Sequence, residues 1–164
     1  MSKISKDELG DLTKSYHELI TSQQTLLLAT ASEIGTPDIS YAPFVRDQNG
    51  IFYIYVSELA SHTRYLLKNP QASVLFIRSE SESHNLFARE RVVFNCGVNE
   101  IARDDENYPI RIEALQEKFG EVVNLLYSLP DFHLFALRPK SGRYVVGFGR
   151  AFEIDMKADV LIPI

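Results

Sequence analysis

Ile51-Phe52-Tyr53-Ile54-Tyr55-Val56 is an unbroken apolar and aromatic run that begins directly after Asp47-Gln48-Asn49-Gly50. Asp, Asn and Gly tolerate the positive φ of a tight turn, so the run reads as a strand entered through a turn. Successive strand side chains point to opposite faces, and apolar residues at every position predict a strand covered on both sides. A chain carrying such a strand needs structure above and below it. The neighbouring segments supply more strands: a mostly apolar run at 25–31, turn residues with Gly35 and Pro37, and an extended segment at 38–45 predict a hairpin. Further strands are expected at 72–77, at 91–96 with an extension past Gly97 to 102, and at 131–137, 143–146 and 150–154. Pro139-Lys140-Ser141-Gly142 reads as the turn between the first two of that last group, and Gly147 and Gly149 bracket Phe148 where the chain must bend.

Helical spacing appears in three places. Leu9, Leu12, Tyr16, Leu19 and Ile20 predict an amphipathic helix over about 6–22. A short helix is expected from Ser61, read as its cap, to the Asn69-Pro70 stop. Ile112, Leu115, Phe119, Val122, Val123 and Leu126 predict a third helical region, with Gly120 as a break or a packing point. Residues 79–83 read as a polar loop. About seven strands in short antiparallel connections, with helices inserted, predict a mainly β protein: a small barrel flanked by helices. The expected organisation is a single domain over 1–164, with barrel and inserted helices at about 25–155 and a short tail at 156–164.

Charge and composition narrow the function. Seventeen basic against 22 acidic residues give a net charge of −5, with no Lys/Arg block able to neutralise a run of phosphates, so nucleic acid is not expected as a partner. The stretch from Met1 to Leu12 is polar and no apolar segment is long enough to span a bilayer, so no membrane association is expected. Cys96 is the one cysteine; in its apolar strand it reads as a packed thiol, and a reducing, cytoplasmic location follows. The phosphate-binding glycine loops, the zinc-protease helix motif and the serine nucleophile elbow are all absent.

Three constellations can carry chemistry. In Ser57-Glu58-Leu59-Ala60-Ser61-His62-Thr63-Arg64, the hydroxyls of Ser57, Ser61 and Thr63, the N–H groups of a helix start and the Arg64 cation could converge on an anion, or Ser61 could simply cap the helix. In Leu86-Phe87-Ala88-Arg89-Glu90-Arg91, strand alternation would set Arg89 and Arg91 side by side on one face to hold an anion, the alternative being a solvated strand end with surface ion pairs. In Asp131-Phe132-His133 with Gly147-Phe148-Gly149-Arg150, Asp131 could orient a histidine or ligand and the glycines could let a flat ring approach, while a turn aspartate and a structural histidine are the plainer reading.

Taken in order with Leu26-Leu27-Leu28-Ala29-Thr30, Pro37-Asp38-Ile39-Ser40-Tyr41-Ala42-Pro43-Phe44, Asn69-Pro70 and Lys118-Phe119-Gly120-Glu121, these segments resemble the haem-utilisation (HugZ or HutZ) branch of the pyridoxamine 5′-phosphate oxidase-like, FMN-binding split barrels. The resemblance implies a six-stranded antiparallel Greek-key split barrel, homodimeric, with ligand sites between subunits. It implies haem as cofactor, with oxidative haem degradation fed by an external electron donor; FMN-dependent oxidoreductase chemistry and non-catalytic haem or flavin binding are the alternatives. Arg91 would lie near the distal face of haem and Asp131 would hydrogen-bond a proximal histidine, so these two are the implied catalytic pair. Tyr41, on the strand that runs beside the cofactor, joins Ser57, Ser61, His62, Thr63, Arg64, Arg89 and Arg150 as candidate cofactor contacts, and His133 is a candidate metal ligand. If the contact is real, Arg64→Ala should weaken cofactor binding.

Overall fold

A computed structural model describes residues 4–164 of the chain; the first three residues of the polar N-terminal stretch lie outside it. The chain runs α1 (Lys6–Thr21), β1 (Thr25–Ala31), β2 (Pro37–Arg46), β3 (Phe52–Ser57), α2 (Ser61–Lys68), β4 (Gln71–Ile77), two single 3-10 turns (Glu80–Glu82 and Leu86–Ala88), β5 (Arg91–Ile101), α3 (Asn107–Phe119), α4 (Val122–Tyr127), β6 (Phe132–Gly147), β7 (Arg150–Asp155) and β8 (Val160–Pro163). All strand pairs are antiparallel, in the order β3-β2-β1-β4-β5-β6-β7-β8, and a β3–β6 pairing closes β1 to β6 into a six-stranded barrel. The crossover from β3 to β4 passes through α2, which gives the Greek-key order.

Strand β3 is covered on both sides because its two faces serve two cores. Phe52, Ile54 and Val56 point into the barrel, where Phe52 meets Phe44, Phe76 and Phe94 at ring separations of 5.4–5.7 Å. Tyr53 and Tyr55 face outward and are roofed by Tyr108, Ile112 and Leu115 of α3 and Val123 of α4. Burying each such aromatic stabilises the fold by roughly 1.5–3 kcal/mol before entropy is counted. Gly120, at φ +81°, separates α3 from α4 and lets both lie on this outer face.

Three expectations need correction. First, residues 139–142 are not a turn: β6 continues through them for 16 residues. Its register against β5 passes from Asn95–Ser141 to Cys96–Pro139, so Lys140 is a bulge residue, the strand bends there, and the proline sits where the ladder is already broken. Gly142 belongs to this bend, since a Cβ there would come within 2.8 Å of Phe94 and Ile154. The bend divides β6: its first half closes the barrel against β3, and its second half pairs with β7.

Second, the expected tail contains β8, joined to β7 through Asp159 at φ +53°. The Asp159 carboxylate accepts from Tyr16 and from Arg46 (2.6 and 3.3 Å) and lies 3.0 Å from His17, tying this hairpin to α1 and β2. Third, the cap of α2 is Ala60; Ser61 is the first helical residue and its side chain is engaged elsewhere. Cys96 is buried, which pushes its thiol up to about 12 and leaves it an unreactive packing group. No helix among the described residues is long and apolar enough to cross a membrane.

Candidate functional site

The start of α2 packs on the inner side of β2, and several of its polar groups have protein partners, while His62 Nε2 and Thr63 Oγ1 are buried without one among the described residues. Ser57 donates to Asp131 at 2.6 Å, and Ser61 donates to Asp38 at 2.9 Å. His62 shares a 2.8 Å hydrogen bond between Nδ1 and Ser40; burial lowers its pKa, outweighing the opposing charge of Asp38, so the ring is held neutral. Thr63 is fully buried. Arg64 reaches back to donate to the Glu58 carbonyl at 2.9 Å. Two hydroxyls of the expected anion cluster therefore meet carboxylates rather than converging on open space, and Asp38 and Asp131 make this corner unfavourable to a phosphate.

His133 stands at the same end of the barrel. Its Nδ1 lies 2.6 Å from Glu100 and its Nε2 lies 2.6 Å from Glu58. Partial burial pulls its pKa down, but the hydrogen bonds and charges of the two carboxylates outweigh this and raise it, favouring the imidazolium. With a carboxylate 2.6 Å from each ring nitrogen, His133 has no open nitrogen for the metal role expected of it. Because the two glutamates occupy opposite ring nitrogens, they do not converge on a common point, and no such three-residue metal cluster occurs among the described residues.

The second constellation and the Gly147–Arg150 half of the third do meet, at the far end of β5. A groove of about 380 Å³ is lined by Phe87, Arg91, Val93, Arg143, Val145, Phe148 and Arg150. Phe87 and Phe148 are 91% and 69% exposed, unusual for phenylalanine and here concentrated beside three guanidinium groups. Arg91 donates to the Arg89 carbonyl at 3.0 Å and Arg150 donates to Glu8 of α1 at 2.5 Å.

Arg89 corrects a second expectation. It precedes the strand instead of sharing a face with Arg91, and its guanidinium donates twice to the Arg78 carbonyl, at 3.0 and 2.6 Å, pinning the loop to the end of β4. Glu90 turns to the other side, where it pairs with Arg78 at 2.7 Å and accepts from buried Tyr144 at 2.6 Å. Arg143 takes the place expected for Arg89, because it is registered opposite Val93 on the Arg91 face. Sequence reasoning missed it by breaking β6 at 139–142, although its position four residues before Gly147 was the available signal.

Tyr41, 64% exposed, lies on the outer side of β2. Register places it in one transverse row with Leu27, Leu75, Val93, Arg143 and Glu153, so a single outer face runs from Tyr41 to the arginine groove. Asp131 does not join it. Nine positions of β5 separate Arg91 from Glu100, the partner of His133, a span of roughly 30 Å at strand rise, so Arg91 and Asp131 cannot contact one ligand within one chain.

A closed six-stranded Greek-key barrel with a cationic, aromatic groove on its outer sheet face defines the class: a split barrel. The family profile described as Pyridoxamine 5′-phosphate oxidase matches residues 12–146. Heme oxygenase HutZ of Vibrio cholerae is 40% identical over 146 residues, which cover 89% of this chain and 82% of that protein. The crystal structure of HutZ, described as the heme storage protein from Vibrio cholerae, superposes with a TM-score of 0.77 at 37% identity, covering 84% of this chain and 97% of that one. Campylobacter jejuni ChuZ gives a TM-score of 0.81 at 30% identity, covering 93% of this chain and 62% of that one. The chain belongs to the pyridoxamine 5′-phosphate oxidase-like split barrels and, within them, to the haem-utilisation branch typified by HutZ.

Proposed function

We propose that this protein binds haem in the groove beside Arg91, Arg143 and Arg150 and works in haem utilisation, through oxidative haem degradation that releases iron. The observation that carries the reading is the lining: three guanidinium groups, two of them for the two propionates, and two exposed phenyl rings to cover a flat apolar macrocycle. The residues fit a planar dianion with an apolar body. They fit FMN less well, because the α2 corner, where the family resemblance would seat a phosphate, presents Asp38 and Asp131.

Bound haem supplies the iron redox chemistry, with electrons from an external donor. This chain's residues would bind and orient it: Arg143 and Arg150 would hold the carboxylates, Phe87 and Phe148 would shield the apolar ring from water, and Arg91 would add a further cation beside the macrocycle. The active form in this reading is a cytoplasmic homodimer. Exposed Ile39, Tyr41 and Leu27 continue the groove's own face across β2 and β1, and a second copy laid on that face would cover them. A second copy is also what could bring Asp131 towards an Arg91 groove.

Separate titrations of the purified protein with haem and with FMN test the reading. A saturable one-to-one Soret shift supports it; saturable FMN binding with only loose haem association replaces it with a flavoprotein.

A further inference from the structure

Haem iron needs an axial donor, and the described histidines differ sharply in whether they can serve. His17 is held by Asp159, through both its carboxylate and its carbonyl, at 3.0 Å. His62, on α2, is buried with Nδ1 on Ser40 and its unpartnered Nε2 enclosed in the interior, and His133 has a carboxylate on each ring nitrogen. The exposed His84 is different: among the described residues, neither of its ring nitrogens has a hydrogen-bond or ion-pair partner.

Its backbone is nevertheless anchored on both sides. Ser83 donates to the Ser79 carbonyl at 2.7 Å, and Asn85 caps the following 3-10 turn by accepting from Phe87 N–H at 2.9 Å. His84 lines a second hollow, of about 330 Å³, together with Asn85, Ala88, Arg89, Gly147 and Phe148. Ala88, Gly147 and Phe148 also line the arginine groove, so the two hollows adjoin and the Phe148 ring is common to both.

We propose that His84 is the axial nitrogen donor to haem iron in this groove, while Arg143 and Arg150 hold the propionate side. The inference rests on the haem reading above, and it assigns to the 79–90 loop a ligating role rather than a merely connecting one. The loop also carries the Arg89 clamp, so the segment that presents the donor is fastened to the end of β4.

The test uses the full chain reconstituted with haem and read by absorption, electron paramagnetic resonance and resonance Raman spectroscopy. Wild type is expected to show histidine ligation, with an iron–histidine stretching band in the ferrous state. His84→Ala should still bind haem through the arginines but lose that band and shift its Soret maximum, and millimolar imidazole should restore both. His133→Ala and His17→Ala should keep the wild-type spectrum. A His84→Ala spectrum identical to wild type overturns the proposal, as does loss of the band in His133→Ala alone. Absence of any saturable Soret shift in wild type is a separate outcome: it removes the haem reading and this assignment with it.

Discussion

The two ends of β5 hold the same kinds of side chain and use them in opposite ways. At the Glu100 end, His133, Glu58, Ser57, Asp131, Ser61 and Asp38 are joined by hydrogen bonds of 2.6–2.9 Å, each donor meeting an acceptor of the same chain. At the Arg91 end, three arginines line a groove beside exposed phenyl rings, and among the described residues the acceptors they meet are one carbonyl and the surface carboxylate of Glu8. A polar cluster that satisfies itself is a fastening for the fold; one left in cationic excess beside apolar surface is prepared for an anionic, flat ligand. Residue type alone does not distinguish the two ends. The distribution of acceptors does.

The largest expected effect comes from separating the two ends. If a second copy brings Asp131 towards Arg91, then Tyr41→Asp, which sets a like-charge pair near a two-fold interface, should weaken self-association by about 2–4 kcal/mol. Sedimentation equilibrium over a dilution series checks this; an unchanged, concentration-independent mass would show that the Tyr41 face is not the contact. Next in size, Arg143→Ala should weaken haem binding by about 1.5–3 kcal/mol, on the order of tenfold to a hundredfold, while leaving the unfolding midpoint nearly unchanged. Comparing haem titration with urea denaturation of the same variant sharpens the contrast. A stability loss without an affinity loss would place Arg143 among the fastenings.

Much of the barrel was legible in the sequence because its strands obey local rules: a turn-forming Asp-Gln-Asn-Gly before β3, an Asn-Pro stop after α2 and helical spacing in α1 and α3. The bend in β6 was not, because Pro-Lys-Ser-Gly is a turn by composition, and only its pairing with β5 on one side makes it a bulge. That single error hid Arg143. The site was legible as a set of segments but not as a set of roles. Ser57, Ser61 and His133 carry ligand-binding side chains, yet their partners Asp131, Asp38, Glu58 and Glu100 lie between 23 and 75 positions away, and local spacing has no access to contacts at that range.

The His133 clasp also makes a pH-dependent contribution whose sign is fixed by its raised pKa. A group whose folded pKa exceeds its unfolded value stabilises fully below the unfolded value, near 6.5 for histidine, and loses that contribution as pH rises through the folded one. The carboxylates face water, so the clasp should contribute only about 0.2–1 kcal/mol. His133→Gln should therefore lower stability most between about pH 5 and 6.5, where both glutamates are ionised and the ring is charged, and least above the folded pKa. Haem affinity should not follow. Parallel denaturation curves at several pH values check the first part, and a matching drop in haem affinity would tie this end of β5 to the ligand after all.

Arg64 gives the smallest expected effect and the sharpest discrimination. By sequence it was the cation of an anion site, and on that basis its removal should weaken cofactor binding. In the fold its guanidinium donates to the Glu58 carbonyl, on the loop that also supplies one arm of the His133 clasp. It therefore belongs with the self-satisfied end of the molecule. Arg64→Ala should leave haem affinity within twofold of wild type, and because Arg64 is exposed its stability cost should stay within about 0.5 kcal/mol. The informative measurement is the double variant with Arg143→Ala. If the two sites are independent, as roughly 30 Å of β5 implies, the affinity loss should equal that of Arg143→Ala alone. A further loss in the double variant would mean that one bound ligand reaches both ends, which only a second copy of the chain could arrange.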